Sequence, residues 1–146
     1  MAPLTAALPP GAIALDTNVL VRCIVADDAR QTPLAVQLLE HAGGAFIARS
    51  VLLETEWVLR AAYRLSRAAI HRSLMAVCGL PRVQLEQPEQ VAQALADFAT
   101  GMDFADALHL ATAEAAGAEF QTFDARCARA ATRLGRRARL IKTPAR

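Results

Sequence analysis

The stretch Ala12-Ile13-Ala14-Leu15-Asp16-Thr17-Asn18-Val19-Leu20-Val21-Arg22 runs from a short apolar segment straight into an acid. Apolar residues over such a length read as a buried strand, Ile13 to Leu15, and Asp16 stands at its carboxyl end. An ionised carboxylate there is expensive to desolvate unless a cation meets it. Open α/β sheets also place their ligands at the carboxyl ends of strands. Asp16 therefore directs attention to other acids that occupy equivalent positions.

Further apolar runs of strand length follow at Phe46 to Ala48, Val83 to Leu85, Phe120 to Thr122 and Arg139 to Ile141. Helical patterns lie between them. Thr32 to His41 carries Pro33 in its first turn, Val51 to Tyr63 follows Ser50 as N-cap, and Arg67 to Cys78 follows Ser66. Pro88 opens a helix to Phe98, Asp103 can cap Phe104 to Ala116, and Asp124 can start Ala125 to Leu134. Strands alternating with helices predict an α/β fold, a three-layer α/β/α sandwich with a mainly parallel central sheet of about five strands.

The 146 residues are 54% hydrophobic, enough for one compact domain over residues 12–146. Residues 1–11 read as a disordered or extended lead-in. Met1 to Pro10 has no Lys or Arg ahead of its apolar residues and is broken by Pro3, Pro9 and Pro10, unlike a secretory signal. No apolar run approaches the ~18 residues of a membrane span. A cytoplasmic protein is expected. Cys23, Cys78 and Cys127 are odd in number and lack Cys-x-x-Cys spacing, which speaks against a disulfide framework or a zinc site. Each reads as a small reduced hydrophobe.

Net charge is only +2, but Arg126, Arg129, Arg133, Arg136, Arg137, Arg139, Lys142 and Arg146 place eight positive charges and no acid in the last 21 residues. The rest of the chain is net acidic. A basic end beside a carboxylate site suits a phosphodiester substrate, while a solvated Arg-rich face or a docking strip for an anionic partner accounts for it equally well.

On the helix from Val51, Glu54 shares a stripe with Val58, Ala61 and Leu65 and sits where packing wants a hydrophobe. Glu56 is expected in an exposed ladder with Arg60 and Arg64. Asp103 suits a helix N-cap, whereas Asp106, one turn further in between Ala105 and Ala107, is the better ligand candidate. Asp124 follows Phe120-Gln121-Thr122-Phe123 at another strand end, with the Thr122 hydroxyl nearby. An N-cap role explains Asp124 alone, but Asp16 has the same position. If Asp16, Glu54, Asp106 and Asp124 were brought together, a divalent cation would be needed to relieve their repulsion, and oxygen ligands favour Mg²⁺ or Mn²⁺ over Zn²⁺. His41, His71 and His109 show no zinc spacing, and His109 reads as a helical residue packed at the rim.

These segments resemble the motifs of the PIN domain, with wording most like the VapC-type toxins of bacterial toxin-antitoxin pairs. The matching stretches are Asp16-Thr17-Asn18-Val19-Leu20-Val21-Arg22, Leu53-Glu54-x-x-Trp57-Val58-Leu59, Asp103-Phe104-Ala105-Asp106-Ala107-Leu108 and Thr122-Phe123-Asp124. The resemblance covers residues 12–141, and the lead-in is longer than is usual in that family. It implies that Asp16, Glu54, Asp106 and Asp124 are the catalytic acids, with Asp16, Asp106 and Asp124 on the metal. Asn18, Thr122 and, less firmly, Asp103 stand in supporting positions. It further implies Mg²⁺- or Mn²⁺-dependent endonucleolytic cleavage of single-stranded or looped RNA to 5′-phosphate and 3′-hydroxyl ends, a homodimer, and inhibition by a cognate antitoxin.

Other function classes fit less well. An aspartyl phosphotransferase would want an acid where Asn18 stands, and a P-loop enzyme needs a Gly-rich Lys-Ser/Thr motif, whereas the only lysine is Lys142. A solitary PIN-type nuclease in RNA processing remains an alternative. So does a catalytically silent RNA- or protein-binding module, although such a module would tolerate loss of an acid and all four are present.

Overall fold

The computed structural model describes residues 7–146. The chain forms two compact units, the first ending at Pro88 and the second running from Glu89 to Arg146. In the first unit the order is β1 (Ile13–Ala14), α1 (Thr17–Val25), α2 (Gln31–Leu39), β2 (Ala45–Ile47), α3 (Arg49–Ala61), α4 (Arg67–Cys78) and β3 (Val83–Leu85). The three strands pair in the order β1-β2-β3, all parallel, with Ile13 opposite Ala45 and Ala45 opposite Val83. Parallel neighbours cannot be joined by a tight turn, so each connection carries a helical crossover: α1 and α2 between β1 and β2, α3 and α4 between β2 and β3. The ladder runs on past the strand ends, where the Leu15 amide donates to Phe46 O at 3.0 Å and the Glu86 amide to Ile47 O at 3.1 Å.

Helix α1 is absent from the expectations above, which assign no element to residues 17–25. The helix forms because the Asp16 carboxylate accepts from the Thr17 amide at 2.8 Å and caps it. Its buried residues, Thr17, Leu20 and Val21, recur at three and four, so burial follows helical rather than strand period. Ala26, in the left-handed region at φ 55°, ends it. Beyond that end, Arg22 donates to Gln31 Oε1 and Asp27 Oδ1, both at 2.8 Å, and the Tyr63 hydroxyl reaches Asp27 at 3.1 Å.

Helix α3 departs from expectation in three ways. It begins at Arg49 with Ala48 in the N-cap position, and Ser50 lies inside the helix. The orphan Arg49 amide is met from a distance, by Glu86 Oε1 at 2.8 Å, just past β3. The helix also stops at Ala61, and Arg64 adopts φ 53° beyond it, so Leu65 and Arg64 are on no common helical face with Glu54 or Glu56. Helix α4 is as expected, with Ser66 accepting from the Ala69 amide at 3.2 Å.

Close approach explains one glycine. A Cβ on Gly43 would collide with the Gly11 carbonyl, so the turn before β2 can lie against the segment before β1 only without a side chain there.

The second unit contains α5 (Pro88–Ala99, its first residue closing the first unit), α6 (Phe104–Ala115), β4 (Phe120–Thr122), α7 (Ala125–Arg133) and β5 (Ala138–Leu140). Strands β4 and β5 pair in parallel through the α7 crossover, with Thr122 opposite Leu140. Val91, Leu95, Phe98, Phe104 and Leu110 are buried, and the Phe98 and Phe104 rings meet edge to face at 5.5 Å. Arg136, counted above among the cations of the basic end, is instead paired within the fold. Its guanidinium donates to the buried Asp97 carboxylate at 3.1 and 3.2 Å and to Glu114 at 2.6 Å. Removing one member of such a pair leaves the other charge buried, at a cost of about 3–5 kcal/mol.

Among the described residues there are five strands, paired in parallel within each sheet, and seven helices, the expected α/β composition. No helix among the described residues is long and apolar enough to cross a membrane.

Candidate active site

Three of the candidate acids are helix N-caps. Asp16 is exposed at the head of α1, with Asn18 exposed one residue inside. Asp103 heads α6 and accepts from the Asp106 amide at 3.1 Å. Asp124 heads α7, where one oxygen accepts from the amides of Arg126 at 2.8 Å and Cys127 at 3.3 Å. The Thr122 hydroxyl in turn accepts from the Asp124 amide at 2.9 Å, fixing the backbone between strand and helix. Each cap satisfies a donor that the helix leaves orphaned and holds the carboxylate at a strand or loop end.

Asp106 differs from these three. It lies in the first turn of α6, partly buried, and its carboxyl is pushed above the usual range. Burial is the main cause, followed by the negative charges of Asp103 and Asp124; a hydrogen bond from the Cys127 thiol and the charge of His109 oppose them. None of the groups acting on Asp106 is a lysine or arginine. The second unit therefore brings Asp103, Asp106 and Asp124 into electrostatic contact, with His109 but no lysine or arginine to oppose them at Asp106.

Cys127 is the residue that sequence reasoning missed. It is buried on α7, and burial together with Asp106 and Asp124 pushes its thiol up to about 11, so it stays protonated and serves Asp106 as a donor. Its place three residues after Asp124, on the first turn of the same helix, was the available signal. His109 is exposed, as a residue at the rim should be, with its ring 6.2 Å from that of Phe120.

In the first unit the two glutamates exchange the places expected of them. The buried face of α3 is Leu52, Thr55, Glu56 and Leu59, and Glu54 is exposed. Glu56, with a side chain only 3% exposed, accepts from Arg60 Nε at 2.9 Å, so the predicted pair forms but as a buried acid meeting a half-exposed arginine. Glu54 is thus not an acid forced into the core. An exposed carboxylate is accessible to substrate and solvent.

Among the described residues, no three His, Cys, Asp or Glu side chains converge closely enough, as they stand, to hold a metal ion. The chemistry of the donors nonetheless fits a hard divalent cation, because the ligating candidates are all carboxylates and no lysine or arginine acts on the crowded Asp106.

A search among curated proteins found no match. The description of the PIN domain matches residues 13–133, from β1 to the end of α7, a span that contains Asp16, Glu54, Asp103, Asp106 and Asp124 in motif order. With a match over most of its length, the chain belongs to the PIN domain family, whose members are generally RNA-binding nucleases that typically use divalent metal ions.

Proposed function

We propose that this protein is an Mg²⁺- or Mn²⁺-dependent endoribonuclease acting in the cytoplasm as the toxin of a toxin-antitoxin pair, as a homodimer held in check by a cognate antitoxin. The observation that carries the nuclease reading is the crowding of Asp106 by Asp103 and Asp124, opposed by His109 and the Cys127 thiol but by no lysine or arginine. Asp16, Asp106 and Asp124 would hold the metal, and Asp16, Glu54, Asp106 and Asp124 form the catalytic set. The ion, when bound, supplies positive charge at the scissile phosphate and makes water easier to deprotonate. Glu54 or Asp124 takes the proton of the attacking water. Attack at phosphorus expels the 3′-hydroxyl and leaves a 5′-phosphate, with no covalent link to the enzyme. Asn18, Thr122 and Asp103 support the set; the bonds from the Asp124 amide to Thr122 and from the Asp106 amide to Asp103 are those of local helix starts.

Expression of the wild-type chain should arrest bacterial growth and deplete a discrete set of RNAs, and Asp106→Ala should do neither. Arrest that persists with Asp106→Ala would overturn the catalytic assignment. Metal-dependent cleavage in vitro without growth arrest would point to a solitary RNA-processing nuclease, and binding without cleavage to a silent module.

A further inference from the structure

Of the eight cations near the carboxyl terminus, Arg136 is bound to Asp97 and Glu114, and Arg139 to Glu119. Arg126, Arg129 and Arg133 on α7 are different. All three are exposed, and among the described residues none is in an ion pair with an acid. At offsets of three and seven they fall within about 60° of one another around the helix and span about 10 Å along it. Cys127, Ala128 and Ala131, on the far side of the helix, are buried, as is Ala130 at the edge of the row. Like charges at these spacings destabilise a helix by a few tenths of a kcal/mol per pair, and a cation in the first turn opposes the dipole, so local stability does not account for the row.

At the head of the row, next to Asp124, stands Phe123, 69% exposed. Phe98 and Phe104, by contrast, are buried in the same unit. A single exposed aromatic is ordinary on a surface. This one is held between Thr122 and Asp124 in a turn closed by the Asp124 amide on the Thr122 hydroxyl. Its backbone is therefore held at the start of α7.

We propose that Phe123 and the row Arg126, Arg129 and Arg133 form a track for single-stranded RNA. One unpaired base stacks on Phe123 beside Asp124, and the phosphates leading away from it run along α7. The inference rests on the ribonuclease reading above and specifies how that substrate is held. Charge complementarity selects a polyanion, and the exposed ring at the head of the row selects one with aromatic faces over an acidic polypeptide. Stacking on an aromatic ring tolerates any base, so the track confers affinity and register rather than sequence choice.

The test is fluorescence anisotropy of a labelled short single-stranded RNA with the full chain in EDTA, across a potassium chloride series, alongside an abasic strand and poly-L-glutamate. Replacing all three arginines by glutamine should weaken RNA binding and flatten the slope of log K against log salt by about 2. Phe123→Ala should weaken binding by about 5- to 100-fold with the slope unchanged, Phe123→Trp should restore it, and the abasic strand should not distinguish them. Circular dichroism melts matched to wild type confirm that each variant is folded. Unchanged RNA affinity in the triple variant overturns the proposal. So does poly-L-glutamate binding that depends on the arginines while Phe123 matters for neither probe, which would mark the row as a surface for an acidic protein. Intact cleavage with RNA binding indifferent to all four residues defeats the track alone. Binding that depends on them in a chain that never cleaves RNA defeats the nuclease reading alone.

Discussion

Asp106 is a carboxylate that the fold makes reluctant to ionise. Its folded-state value lies above the usual ~3.9 of an aspartate, so between the unfolded and folded values the native state holds the extra proton and stability falls as pH rises. Above the folded value the penalty is constant. In EDTA, Asp106→Asn should therefore be more stable than wild type at neutral pH, and the difference should vanish on acidification through the folded value. Thermal melts of both proteins from pH 3 to 7 provide the check, and a variant less stable than wild type at pH 7 would contradict it. The same substitution should abolish cleavage, which separates a site that costs stability from one that contributes to it. Much of this was legible in residue type and position. Asp103 before an apolar helix reads as a cap and is one, and Asp106, read as the better ligand candidate one turn further in, has a carboxyl pushed up mainly by burial. For Cys127 only its place in the first turn after Asp124 was legible; its bond to Asp106 joins α7 to α6, and no local pattern encodes a tertiary contact.

Helix α3 shows where pattern reading fails. Two stripes compete on it: Glu54 with Val58 and Ala61, and Leu52 with Thr55, Glu56 and Leu59. Each contains one acid, so hydrophobic period alone cannot fix the phase. The fold chooses the second, since the helix ends at Ala61 and the first stripe loses Leu65. Its start is set equally far away, by Glu86 on the Arg49 amide rather than by Ser50. Helix α1 was not anticipated at all: Val19, Ile24 and other β-branched residues lower its helix propensity, and the Asp16 cap helps to offset that. The consequence for α3 is a clean division of effects. Glu56→Ala removes a buried hydrogen-bonded acid and should cost about 1–3 kcal/mol with turnover of the folded enzyme retained. Glu54→Ala should stay within about 0.5 kcal/mol and, with Glu54 as proton acceptor, lower cleavage by about 10²- to 10⁴-fold. Urea midpoints and cleavage rates measure both, and the reverse pattern would move the catalytic role to Glu56.

For the whole molecule, the family match runs through both compact units, and the candidate acids are divided between them, Asp16 and Glu54 in the first, Asp103, Asp106 and Asp124 in the second. The proposed mechanism treats Asp16, Glu54, Asp106 and Asp124 as one catalytic set, and that is a statement about energetic coupling that rates can test. The choice of substitution matters, because Asp16, Asp103 and Asp124 each cap a helix and alanine there would cost about 1 kcal/mol of stability for reasons unrelated to catalysis. Asparagine caps as well as aspartate but lacks the charge. Groups that act as a unit lose nearly everything when the first is removed, so their losses do not multiply. Asp16→Asn and Asp106→Asn should each reduce cleavage to near background, and the double variant should be within a few-fold of either single. If each causes a partial loss and the two losses multiply, the acids act independently and do not serve one metal-dependent step.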